Sequence, residues 1–306
     1  MKRSLYLFAI LGLFSAAQAR AEDEGVEPID EVFEPAGRFD AATQVKVAVL
    51  QWNDHGASPL TESKTVAEAY KQRNREQMES YIRQAAAKGA EIVVTPEFGV
   101  VNYPDIPELP SADDNWRTRD DIRAYVEPAA DGASTKFFSR LAKELKIYIH
   151  YGFAEVEVES DRYYNAVGVV DPTGALVAIH RKVNLYQSEG DYISSGEDLG
   201  IYEGPAGKTG LLICADVYDS RVLAQYRREG VKVLALSTSW AQYNTGMGYF
   251  RRAAQTVGSY LLAANQTYFP DSGVVNPNGQ NQTHIRQSEG LAYGYLPRVN
   301  ASPRRR

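Results

Sequence analysis

Two β-branched runs enclose a long amphipathic segment near the start of the domain, and that alternation limits the folds open to this chain. Val45-Lys46-Val47-Ala48-Val49-Leu50-Gln51 reads as a strand. Lys64 to Lys88 reads as a helix, with Val66, Tyr70, Met78, Tyr81, Ile82 and Ala85 near one face and Asn74 interrupting it. Ser63 could cap it, or Thr65 with Glu68 as a capping box, and Gly89 ends it. Glu91 to Glu97 reads as a buried strand stopped by Pro96. Strand, helix, strand in that order predicts parallel pairing and an α/β architecture.

The rest of the chain continues the pattern. A helix is expected over Ser134 to Leu145, a strand over Ile147 to Ala154, and a hairpin of Tyr163 to Val170 and Ala175 to His180 around Asp171-Pro172-Thr173-Gly174. A strand ends at Ile213, a helix covers Ser220 to Glu229, and strands follow over Val231 to Ser237 and Tyr260 to Ala264, with a helix near Met247 to Val257 between them. Gly273 to Gly279 and Gly290 to Leu296 look like a last pair of strands. Residues 98–133 and 183–208 read as irregular segments, which in compact domains tend to be functional. No repeat or composition break divides 44–297, so one domain is expected there, followed by a loose basic tail at 298–306.

The N-terminus reads as a targeting segment. Lys2 and Arg3 precede an apolar run from Leu5 to Ala17, and either Ala17-x-Ala19 or Ala19-x-Ala21 offers a cleavage site. Residues 1–21 are therefore expected to be a cleaved signal peptide, and the mature protein to be soluble and secreted or periplasmic. Residues 22–43 begin with an acidic stretch and suggest a mobile leader. Losing residues 1–21 removes three positive charges from the formal −6 and leaves −9. That balance argues against nucleic acid as a partner, and no later stretch is apolar enough to span a membrane.

Cys214 is the only cysteine, so no intramolecular disulfide can form. It stands where the Leu211–Ile213 strand turns towards a helix, a setting in which backbone N–H groups stabilise a thiolate. Most lone cysteines are packing residues, but a free thiol kept in an oxidising compartment is either inert or retained for chemistry. Glu97 and Lys182 also follow predicted strands, and the carboxyl ends of α/β strands are where sites are built. Taken alone, each reads more readily as a solvated surface charge.

Together these residues resemble the triad of the nitrilase superfamily of carbon–nitrogen hydrolases, a Glu–Lys–Cys set in that chain order. The similarity spans roughly residues 44–297. Thr95-Pro96-Glu97, Tyr164-Asn165-Ala166, His180-Arg181-Lys182, Ile213-Cys214-Ala215-Asp216, Ala263-Ala264-Asn265 and the Gly273 to Gly279 turn carry it. Lys182-Val183-Asn184-Leu185-Tyr186 and Ser237-Thr238-Ser239-Trp240 are similar to segments of the biotinidase and vanin branch. The resemblance implies an α-β-β-α sandwich, no cofactor or metal, a small-molecule amide substrate and a homodimer. It implies Cys214 as nucleophile through a thioester, Glu97 as general base, Lys182 as oxyanion partner with the Ala215 N–H, and pantetheine- or biotin-amide-like substrates. Tyr186, Trp240 and Tyr243 are candidate pocket residues, although ordinary packing explains such aromatics as well.

The chain also departs from the family pattern. Glu155, Glu189 and Glu197 all compete for the second glutamate near the lysine, Arg221 stands where many members have an acidic residue, and Val217-Tyr218-Asp219 replaces an aromatic-proline stretch. Nitrile hydrolysis by the same triad, or a silent small-molecule binder on the same scaffold, are the alternatives. A Cys–His hydrolase drawing on His55, His150, His180 or His284 lacks a supporting motif, and no metal-ligand spacing occurs.

Overall fold

A computed structural model describes residues 32–52, 57–104, 116–240, 245–266, 271–286 and 288–299. His55, Tyr243, the expected signal peptide and most of the expected tail lie outside these residues.

Among the described residues, thirteen strands and five α-helices run as follows. β1 (Val32–Phe33), β2 (Gln44–Gln51), α1 (Lys64–Ala87), β3 (Ile92–Val94), α2 (Arg119–Ile122) and α3 (Ala133–Leu145) come first. β4 (Tyr148–Glu157), β5 (Arg162–Val170), β6 (Leu176–Arg181), β7 (Ile201–Gly204) and β8 (Gly207–Ile213) follow. Then come α4 (Ser220–Arg228), β9 (Val233–Thr238), α5 (Gly246–Val257), β10 (Tyr260–Asn265), β11 (Ser272–Val275), β12 (Asn281–Ile285) and β13 (Gly290–Pro297).

These strands form two sheets, one in the order β1-β13-β2-β3-β4-β5-β6 and one in the order β12-β11-β10-β9-β8-β7. Strand alternation builds the layers. Val45, Val47 and Val49 of β2, with Leu211 and Ile213 of β8 and Leu262 of β10, fill the space between the sheets. Ala48 and Leu50 point the other way, into a core closed by α1 and α3. Leu212, Leu234 and Leu261 do the same for the second sheet under α4 and α5. The result is the α-β-β-α sandwich expected from the sequence, with β3, β8, β9 and β10 as inner strands whose carboxyl ends approach one another.

Three local expectations change. Gly273 to Gly279 and Gly290 to Leu296 do not pair with each other: β11 joins β10 and β12, whereas β13 crosses to the first sheet beside β2. Residues 183–208 are not all loop, since β7 pairs with β8 in a hairpin. The acidic leader is seated at its end, where β1 runs parallel to β13 and Glu34 pairs with Lys46 at 2.8 Å.

On α1, Ser63 is the cap, accepting from the Val66 N–H. Val66 itself is exposed, and the buried face instead takes Lys71, Asn74 and Arg75. Lys71 is satisfied by Glu68, Glu127 and the Tyr125 carbonyl, and Asn74 donates to the Val100 carbonyl.

Candidate active site

Glu97 leaves the end of β3 through a turn in which Phe98 takes a left-handed φ of 49°. Its side chain is 1% exposed, yet both carboxylate oxygens are held. Oε1 accepts from Lys182 Nζ at 2.9 Å and from Asn165 Nδ2 at 2.7 Å, and Oε2 accepts from the Ser239 N–H at 2.7 Å. The Glu97 carbonyl accepts from Gln266 Nε2 at 2.8 Å.

Lys182 follows β6 and is equally buried. Its ammonium lies between two carboxylates, donating to Glu97 and to Glu189 Oε1 at 2.7 Å. Glu189 sits on a 3-10 turn at Gln187–Asp191, and its Oε2 accepts the Tyr186 N–H at 2.6 Å. Burial opposes the Lys182 charge, but Glu189 and Glu97 outweigh it and hold the ammonium well above the usual lysine range. Burial also raises the Glu189 carboxyl, with Lys182 opposing.

Cys214 follows β8 with a left-handed φ of 43°, a conformation that a residue with a Cβ adopts only when its surroundings enforce it. The residue is partly open to solvent, and its thiol lies 3.9 Å from the Ser239 carbonyl oxygen. Ser239 therefore touches both groups, with its N–H on Glu97 and its carbonyl towards the thiol. Desolvation at the sulfur pushes the Cys214 thiol up to about 12; Glu97 adds to this and Lys182 opposes it. At neutral pH the sulfur therefore keeps its proton.

The structure thus brings Glu97, Lys182 and Cys214 together and adds Glu189. Glu155 is committed elsewhere, in a bidentate pair with Arg181, and Glu197 is a surface group near Arg162. Ala215 is buried in the 3-10 turn after Cys214, its carbonyl accepting from Asn184 Nδ2 at 2.8 Å. Tyr186 is partly buried beside Glu189. Trp240 is 6% exposed and anchored by Asn265 Oδ1 and Thr245 Oγ1 within the α4–α5 core. Tyr218, not selected from the sequence, is 41% exposed and packs edge-on against Trp240, and burial together with nearby Cys214 raises its phenol.

Asp216 and Ser239 lie in segments that carry the resemblance, but their contacts were not legible in the sequence, because they join main-chain N–H groups to carboxylates far along the chain. Of the rival histidines, His150 and His180 are fully buried between structural partners, and His284 pairs with Asp271. Among the described residues, no group of three or more His, Cys, Asp or Glu is placed to hold a metal ion, and no helix is long and apolar enough to cross a membrane.

The two-sheet sandwich thus gathers a buried carboxylate, a buried ammonium and a partly open thiol at its strand ends. The chain matches the carbon-nitrogen hydrolase family over residues 46–305 and belongs to it, within the nitrilase superfamily, whose members act on non-peptide carbon–nitrogen bonds. It is similar to the probable nitrilase C965.09 of Schizosaccharomyces pombe, 25% identical over 68% of this chain and 76% of that protein. It is similar to omega-amidase NIT2 of Xenopus tropicalis, 29% identical over 50% of this chain, and there it spans about half (53%) of the relative. In fold it resembles a mutant amidase from Nesterenkonia sp. AN1, with a TM-score of 0.67, 20% identity and coverage of 86% and 94% of the two chains. That amidase shows covalent addition of the acetamide moiety of fluoroacetamide at its active-site cysteine.

Proposed function

We propose that this protein is an exported amidohydrolase that cleaves a small linear amide through a Cys214 thioester. The observation that carries the reading is the Lys182 ammonium clamped between buried Glu97 and Glu189, with Ser239 linking Glu97 to the thiol. Glu97 takes the thiol proton as sulfur attacks the amide carbon, which avoids a free thiolate in a site that disfavours one. Lys182 and the Ala215 N–H stabilise the oxyanion. The C–N bond breaks, the amine leaves with the proton from Glu97, and a water activated by Glu97 hydrolyses the thioester to acid and free thiol. Glu189 fixes Lys182 and keeps it charged.

The branch-like segments at Lys182–Tyr186 and Ser237–Trp240 favour pantetheine- or biotin-like amides, and family resemblance favours a homodimer. An export signal cleaved after Ala19 or Ala21 would give a mature start at Arg20 or Glu22.

Intact-protein mass spectrometry of the mature protein with fluoroacetamide and an amide panel tests this. A single acetamide-sized adduct, or a trapped acyl mass, on wild type and not on Cys214→Ala is expected. Absence of any adduct without denaturant, with no amide or nitrile consumed, would identify a silent binder.

A further inference from the structure

Tyr192 lies one residue beyond the 3-10 turn that carries Glu189, and the same turn fixes its backbone. The Tyr192 and Ile193 N–H groups both donate to the Glu189 carbonyl, at 3.1 and 3.0 Å, and the Ser194 N–H donates to Tyr163 at 2.7 Å. The side chain is 2% exposed, yet its hydroxyl has no hydrogen-bond partner among the described residues. A buried hydroxyl is ordinarily paired, because leaving it unpaired costs its desolvation. Packing therefore accounts for the ring but not for the oxygen.

Tyr192 stands three residues after Glu189, whose carboxylate accepts from Lys182 at 2.7 Å. Burial raises its phenol, Glu189, Glu97 and Cys214 add to this and Lys182 opposes it, and burial, Glu97, Glu189 and Cys214 raise Tyr103 in the same way. Burial keeps the phenol protonated, so it is a neutral group able both to donate and to accept. The charges beside it are two carboxylates and one ammonium, with a neutral thiol. That balance is negative and disfavours a further carboxylate on the substrate.

We propose that Tyr192 is a specificity-determining residue whose hydroxyl meets a hydrogen-bonding group on the acyl chain, so that the site selects neutral amides bearing a hydroxyl or carbonyl there. This deepens the amidohydrolase reading and rests on it. A site built to pair a substrate hydroxyl rejects the isostere lacking it, whereas an apolar pocket barely distinguishes the two.

Two isosteric pairs test the proposal: lactamide against isobutyramide, and 3-hydroxybutyramide against isovaleramide. With the mature wild type, kcat/KM favours the hydroxyl member of at least one pair by about tenfold or more. In Tyr192→Phe that preference collapses towards one through loss on the hydroxy-amide, while the apolar amide stays within about twofold, which also reports an intact fold. Equal losses on both members would reduce Tyr192 to a packing residue and overturn the proposal, as would an unchanged ratio. Wild type that turns over none of the four and forms no fluoroacetamide adduct would instead remove the amidohydrolase reading, and this proposal with it.

Discussion

The carboxylate of Asp216, two residues beyond Cys214, accepts the main-chain N–H of Asn184, two residues beyond Lys182, at 2.7 Å. The same oxygen takes the Val183 N–H at 3.1 Å, and the other takes the Ile213 N–H at 3.0 Å and His180 Nε2 at 2.9 Å. Since His180 Nδ1 accepts from the Gly200 N–H, Nε2 is the protonated nitrogen and donates to Asp216. One buried carboxylate thus ties the cysteine turn to the lysine loop and sustains the left-handed backbone at Cys214.

Asp216→Asn puts an amide N–H against donors that need an acceptor. We expect a loss of about 3 kcal/mol in urea unfolding, because charge-assisted bonds are lost and buried N–H groups orphaned. Turnover should fall about a hundredfold as the nucleophile moves. A variant with a wild-type midpoint and rate would show that Asp216 does not hold the turn.

Gly152 on β4 lies directly beneath the Glu97 turn. A Cβ there would stand 2.5 Å from the Pro96 carbonyl oxygen and 2.7 Å from the Phe98 nitrogen, both backbone atoms. Gly152→Ala must therefore displace the turn or β4. We expect a destabilisation of about 1–3 kcal/mol, typical of overpacking, with a fall in kcat of at least tenfold. Unchanged kcat in a folded variant would mean that the turn shifts without carrying the Glu97 carboxylate.

Strands with alternating apolar residues were legible because each face meets a different core: Val47 and Val49 face the second sheet, Ala48 and Leu50 face α1. Glu97, Lys182 and Cys214 were legible because each ends a readable strand. The buried face of α1 was misread at Val66, Lys71 and Arg75, since hydrophobic periodicity cannot anticipate a Lys71–Glu127 pair formed across the fold. β12 was missed because Asn281-Gln282-Thr283-His284-Ile285 is a mostly polar edge strand, and β7 because glycines surround it. Glu189 stayed one of three candidates because chain position alone does not say which carboxylate folds back onto Lys182.

The raised Cys214 thiol couples stability to pH. Its value is about 12 in the folded protein against 9.0 as its reference, so below pH 9 it is protonated whether folded or not. Above pH 9 the unfolded chain ionises first, and stability is lost until the folded thiol also ionises near 12. Wild type should therefore lose up to about 1.4 kcal/mol per pH unit more than Cys214→Ala within that window. Urea unfolding at pH 8 and pH 10 reads the difference, and parallel losses in both proteins would remove Cys214 as its source.

Glu189 and Glu155 differ by what each carboxylate holds. Glu189 Oε1 accepts from the Lys182 ammonium, which also donates to Glu97, while Oε2 caps its own turn through the Tyr186 N–H. Glu155 instead accepts two bonds from Arg181, at 2.8 and 2.7 Å, in a pair directed away from Lys182. Glu189→Gln leaves the shape of the turn but removes one of the two charges holding Lys182, so turnover should fall about 10²- to 10⁴-fold with a modest change in unfolding midpoint. Glu155→Gln should show the reverse, a loss of about 1–3 kcal/mol in stability with kcat within a few fold of wild type. Kinetics and urea melts on the two variants side by side decide the matter: if Glu155→Gln is the inactive one, the assignment of the second carboxylate to Glu189 is wrong.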